Sequence, residues 1–304
     1  MFVKLYNGLI RQGFVLTLIL FFILGNETEL FSACNPPVPT NYTNRQLTSI
    51  TVNWANLSSN DAWEIELRKS DDPFTGNATT GTINDLFYNF QGLETGTEYC
   101  FRIRGICDGE PGGWSAPFCF ISTLNDSNSC GLGFELKDPT GNQSYADADF
   151  YYITDQFING ELGKDVFIKD VQLIIEHNWP SDLEIFLFSP AGKRIILSQK
   201  NGFNSVHYGN PGSESCDSVA LFSDEACNEV GDLPNLTGAF RPEESFLNLY
   251  DSSAIDNTWK LVIRDHNAGH LGKLHYFHIN LVETDCRLPE AMYVEPFGPN
   301  ACKV

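Results

Sequence analysis

The chain has 304 residues, 42% hydrophobic and 19% charged, a composition that packs into globular domains rather than staying disordered. At roughly 100–200 residues per domain, this length allows about two domains and a leader. The net charge of -20 argues against nucleic acid or anionic lipid as a partner, because phosphate recognition runs on Lys and Arg. It admits calcium, which takes carboxylate oxygens.

Lys4 and Arg11 precede an apolar run from Phe14 to Leu24, broken only by Thr17. That run is well short of the roughly 20 residues that span a bilayer, so residues 1–33 are expected to be a cleaved secretory signal. No other long apolar stretch follows, and no transmembrane span is expected after cleavage. Lys4, Arg11, Glu27 and Glu29 cancel, so the acidic excess lies on residues 34–304. Phe31-Ser-Ala-Cys34 is similar to a lipoprotein cleavage site, but Glu27, Glu29 and Phe31 argue against lipidation of Cys34. All 9 cysteines lie at or after Cys34. In an exported chain they are expected to be mostly disulfides, and the odd number leaves one over.

From Cys34 onward, short apolar-alternating runs recur between Gly, Pro, Asn and Asp clusters, the pattern of strands and turns. Ile50-Thr-Val-Asn-Trp54, Trp63-Glu-Ile-Glu-Leu67 and Tyr99-Cys-Phe-Arg-Ile-Arg-Gly105 each alternate as half-buried strands do. Leu93 stands ahead of Tyr99 at the spacing of a tyrosine corner, in which the phenol oxygen reaches back to the preceding turn. A loop over 109–113, Trp114-Ser115 and a last strand from Phe118 to Thr123 close the segment. Trp54, Leu93, Tyr99, Trp114-Ser115 and Thr123 together resemble a fibronectin type III domain over 34–124. With Cys34 at its start and Cys107 after the Tyr strand, it is similar to modules of secreted bacterial proteins. Phe101 and Phe120 pointing inward would turn Cys100 and Cys119 outward on hairpin partners, so a Cys100–Cys119 bridge is predicted, with Cys34–Cys107 as its companion.

Beyond a joint at Asn125–Ser129, alternating strands resume. They include Val166 to His177, Asp182-Leu-Glu-Ile-Phe-Leu-Phe-Ser189-Pro-Ala-Gly192, Asn257-Thr-Trp259-Lys-Leu-Val-Ile-Arg-Asp265 and Gly272-Lys-Leu274 to Leu281. This order resembles the P domain (Homo B domain) of subtilisin-like proprotein convertases. Two departures occur: Asn257 stands where the family has Gly, and Phe277 where it has the last Trp. The resemblance covers 125–285 and implies a jelly-roll-like β-sandwich. Cys286, Pro289 and Val304 fall in the spacing of Cys34, Pro37 and Val52, so 286–304 is expected to begin a second fibronectin-like module. The fold class is therefore all-β, with two β-sandwich domains after a signal peptide.

Candidate chemistry is sparse. No Gly-rich phosphate loop, HExxH or Gly-x-Ser-x-Gly occurs. His266 and His270 have helical spacing, but their segment has the composition of a turn. Ser213 is Gly-adjacent with no His-bearing motif to support it. A serine protease needs Ser, His and Asp in one constellation, usually supplied by a separate α/β domain. Asp182, Asp224 and Asp265 are the calcium candidates; at turns, Asp also caps its own backbone. Cys216–Cys227 would close a short loop, leaving Cys130, Cys286 and Cys302. The expected function is a secreted or cell-surface binding or stabilising protein that requires no cofactor. Its partner, protein or surface glycan, is unspecified. The alternative is an accessory region of a larger secreted subtilisin-like endopeptidase.

Overall fold

Alternation of apolar and polar side chains becomes sheet throughout. The computed structural model describes residues 34–128, 130–154, 160–203, 205–213, 215–231, 236–252 and 258–283, with strands and short 3-10 turns but no α-helix among them. The predicted signal (1–33) and the predicted start of a second module (286–304) lie outside these residues.

Seven strands form the first sandwich: β1 (Val38–Thr43), β2 (Ser49–Ala55), β3 (Ala62–Lys69), β4 (Phe87–Gln91), β5 (Glu98–Cys107), β6 (Glu110–Pro111) and β7 (Phe118–Ile121). One sheet runs β1-β2-β4; the other is built on β5, which pairs β3, β6 and β7. The inner faces supply one core, including Ile50, Val52, Trp54, Trp63, Ile65, Phe90, Phe101, Ile103 and Phe120. Trp54 and Trp63 meet edge-on at 6.0 Å, a favoured aromatic geometry. The Tyr99 hydroxyl accepts the Glu94 N–H at 3.0 Å, which makes the corner read from the sequence. Cys100 lies directly opposite Cys119 in the β5–β7 ladder, and the structure joins them; Cys34 is joined to Cys107. The Cys34 sulfur is thus not available to a lipid.

Nine strands form the second sandwich: β8 (Cys130–Glu135), β9 (Ala146–Tyr152), β10 (Val166–His177), β11 (Leu183–Phe188), β12 (Arg194–Gln199), β13 (Ala220–Phe222), β14 (Gly238–Phe240), β15 (Trp259–Asp265) and β16 (Gly272–Glu283). The sheets run β14-β13-β10-β16-β8 and β12-β11-β15-β9. Strand β10 carries long buried runs because its inner face meets the other sheet while its outer face is partly covered by neighbouring segments. The Ser189-Pro-Ala-Gly192 turn closes the β11–β12 hairpin through Gly192 N–H to Ser189 O at 2.8 Å. Gly192 sits there at φ 86°, open to Gly at no steric cost.

The cysteine expectation needs one correction. Cys216 is bonded to Cys130, not to Cys227, and Cys227 is itself in a disulfide. Loop closure by nearest spacing was outweighed by topology: the segment around Cys216 leads into β13, and β8 lies in the same sheet.

The two sandwiches touch. Leu124 pairs with β9 on both sides of its peptide, donating to Tyr151 O at 2.7 Å and accepting from Ile153 N at 3.0 Å, and its side chain joins the second core. Arg45, in the β1–β2 turn, donates to Ile121 O at 2.8 Å and lies 4.0 Å over the Tyr151 ring. Its own carbonyl accepts the Thr258 hydroxyl at 3.2 Å. The joint also holds Tyr152, whose hydroxyl meets Asp126 and lies 3.1 Å from His278 Nδ1.

Candidate functional site

The densest set of chemically capable side chains gathers where β10 ends and β16 begins. His177, the last residue of β10, is completely buried. Its Nε2 lies 3.1 Å from Asp265 Oδ2, and its Nδ1 lies 2.8 Å from Trp179 O. Gly272 is required beside it: a Cβ there would come within 2.6 Å of His177 Cδ2. Burial alone would lower the His177 pKa, but the hydrogen bond and charge of Asp265 win and hold it above its ordinary value of 6.5.

Around this pair runs a polar turn. Asp265 Oδ1 accepts the Asn267 N–H at 2.9 Å. Asp182 binds Asn267 Nδ2 through Oδ1 at 2.6 Å and His270 Nδ1 through Oδ2 at 2.7 Å. The His270 ring stacks on Trp179, centroids 5.6 Å apart and planes 29° from parallel. His266 goes elsewhere, its Nε2 standing 3.1 Å from Glu184 Oε2. His266 and His270 therefore serve different carboxylates and share no ligand.

The three calcium candidates are not brought together. Asp224 caps the short 3-10 turn at Phe246–Leu249, accepting from Ser245 Oγ at 2.9 Å and Phe246 N at 3.0 Å. Asp182 and Asp265 do share a corner, but each carboxylate oxygen is already met by an N–H donor or an imidazole nitrogen. Among the described residues, no group of three or more His, Cys, Asp or Glu side chains is arranged to hold a metal ion. As placed, these carboxylates do not fit a calcium site.

A Ser-His-Asp reading meets a geometric obstacle. In a hydrolase triad, one imidazole nitrogen faces the carboxylate and the other faces the nucleophile. Here the second nitrogen of His177 faces a backbone carbonyl in a closed core. Ser213 hydrogen-bonds Asp217 at 2.6 Å. His275 lies 2.8 Å from Glu176, and His278 Nε2 lies 2.9 Å from Asn280 Oδ1.

One structural cluster escaped the sequence reading. Glu66, in a strand where alternation turns it outward, is fully buried. Arg102 binds it through two nitrogens, at 2.7 and 3.0 Å, and the Thr75 and Gly76 N–H groups bind it at 2.6 and 3.1 Å. Burial would raise its pKa, but these donors lower it to about 2. Arg102 also lies between the Phe74 and Trp114 rings, at 4.7 and 4.8 Å. The only sequence signal was Arg102 alternating outward on the neighbouring strand.

Comparison with known proteins gives two family matches. Residues 35–120 match the fibronectin type III domain, and residues 168–226 match the proprotein convertase P-domain. No curated protein matches the chain. Among solved structures, a myokine is 22% identical over 29% of this chain and 98% of its own, with a TM-score of 0.22. A fibronectin type III domain from the human KIAA0970 protein is 9% identical over 30% of this chain and 75% of its own, TM-score 0.26. The fifth such domain of Drosophila Lar is 20% identical over 29% and 97%, TM-score 0.23. Disulfides in both domains are compatible with an extracytoplasmic chain. No helix among the described residues is long and apolar enough to cross a membrane.

Proposed function

From a chain in which a fibronectin type III domain precedes a P-domain, we propose an exported modular protein that binds or stabilises a partner and performs no hydrolysis itself. The observation that carries this reading is the His177–Asp265 pair. It has the composition of a charge relay, yet its remaining nitrogen and its full burial commit it to holding the β10–β11 turn. The other polar clusters are similarly used for structure: Glu66–Arg102 locks one sheet, and Asp224 caps a turn. No cofactor enters the reading. Calcium addition is expected to leave the melting temperature unchanged; a rise of several degrees, lost with a chelator, would restore a calcium role to Asp182, Asp224 or Asp265.

Disulfides that survive in an oxidising compartment and the basic-then-apolar leader both support export. The P-domain match favours one second reading, support of a subtilisin-like serine endopeptidase. If that holds, adding this chain to such a catalytic domain raises the enzyme's melting temperature.

The primary reading is tested with a fluorophosphonate probe, which labels activated serines. The purified chain is expected to take up no label. Stoichiometric labelling that a single Ser→Ala substitution removes would end the non-catalytic reading.

A further inference from the structure

Trp179 is 47% exposed, although the residues on either side of its turn are locked in place. Its carbonyl faces the buried His177, and the next residue, Pro180, is buried. Behind its ring lies His270, oriented by Asp182. The indole is thus a flat apolar surface fixed by a second ring and a carboxylate, not a side chain left to wander. Large exposed aromatic groups held this rigidly lose little entropy on binding.

Beside that ring stand hydrogen-bonding atoms with capacity to spare. Asn267 spends its amide nitrogen on Asp182, and among the described residues its Oδ1 has no partner. His270 spends Nδ1 on Asp182, and its Nε2 likewise has none. Asp182 keeps unused lone pairs, since a carboxylate accepts about four hydrogen bonds. The set is an apolar plate next to a fixed acceptor, an imidazole nitrogen and a carboxylate. A pyranose matches it: the C–H face of the sugar ring lies on the indole while neighbouring hydroxyls reach the polar atoms. A protein partner can also cover the plate, but adjacent ring hydroxyls, each both donor and acceptor, meet an acceptor, an imidazole nitrogen and a carboxylate at once. No Lys or Arg is paired with Trp179, Asp182, Asn267 or His270 among the described residues, so nothing here favours an anionic sugar.

We propose that Trp179, with Asn267, His270 and Asp182, forms a surface platform for a neutral polysaccharide. This deepens the binding-module reading and rests on it. The exposed Leu271, next to His270, extends the apolar strip, in keeping with an extended chain of sugars rather than one enclosed residue.

The test is affinity electrophoresis of the full chain in gels containing laminarin, xyloglucan, xylan, galactomannan or dextran, with alginate as the anionic control. The chain is expected to be retarded by at least one neutral polymer. Trp179→Ala should weaken that retardation at least tenfold, and Asn267→Ala several-fold, with both variants still folded by far-ultraviolet circular dichroism and cooperative melting. Retardation by none of the neutral polymers would overturn the proposal. So would retardation by alginate alone, or binding by Trp179→Ala equal to the parent. In that last case the chain is still a binding module, with its platform elsewhere. If instead Trp179→Ala loses capture of a protein while polysaccharide retardation persists, the platform is a protein site and the sugar assignment fails.

Discussion

Single residues in this chain hold charge where the pattern asks for none, and pH exposes them. His177 titrates above 6.5 because Asp265 outweighs its burial. A histidine whose folded pKa is raised stabilises fully below its unfolded value, and that stabilisation is lost as pH rises through the folded one. Melting of the second sandwich should therefore fall as pH climbs above 6.5, and His177→Phe should flatten that slope. Glu66 has the opposite sign. Its pKa falls to about 2 from an ordinary 4.5, so its contribution is present above 4.5 and drains away as pH drops toward 2. Replacing Arg102 by Met leaves that buried carboxylate with Arg68, the Thr75 hydroxyl and two backbone N–H groups. A cost of about 3 kcal/mol is expected in urea unfolding at pH 7, the low end for a broken buried pair. Alternation along Trp63-Glu-Ile-Glu-Leu67 located the strand but gave no sign that Glu66 is buried, because the cover over that face comes from distant residues, Thr75, Gly76 and Arg102. The calcium candidates show the same limit. A sequence places Asp182, Asp224 and Asp265 at turns, but only the fold decides which N–H groups reach them.

At the scale of elements, period-two patterning and turn residues carried most of the fold. The strands at Ile50, Trp63, Tyr99, Val166, Leu183 and Trp259 are where alternation put them, since each has one face on a core. Strand β4 (Phe87–Gln91) was not singled out, because three of its five side chains are exposed and its alternation is shallow. The tyrosine corner was legible from Leu93 and Tyr99 alone; removing its hydroxyl with Tyr99→Phe should cost about 1 kcal/mol. Cross-strand facing also found Cys100 and Cys119, which lie opposite each other in one hairpin. Replacing both by Ser should lower stability by about 3 kcal/mol, the loop-entropy estimate for a closure of this size, measured by denaturant titration. Cys130 and Cys216, 86 residues apart, offer no such local cue.

At the largest scale, the described residues form two sandwiches joined by a strand-like linker rather than a loose tether. Leu124 belongs to the second core while Thr123 bonds back to Gln46 in the first. Arg45 crosses between them onto Tyr151. Nothing in the sequence announced that contact, because a single Arg in a turn has no periodic signature. Calorimetry should show one shared unfolding transition in the parent. Arg45→Ala, which loses a desolvated cation–π contact of about 2 kcal/mol, should separate it into two. Both cores are filled by side chains, and the histidines of the second are held by carboxylates, amides and carbonyls. We infer that such a molecule binds without cutting. Incubating the purified full chain with a diverse mixture of synthetic peptides and reading the products by mass spectrometry tests it most directly. Every peptide is expected to be recovered intact. Reproducible cleavage that vanishes in His177→Ala would contradict it.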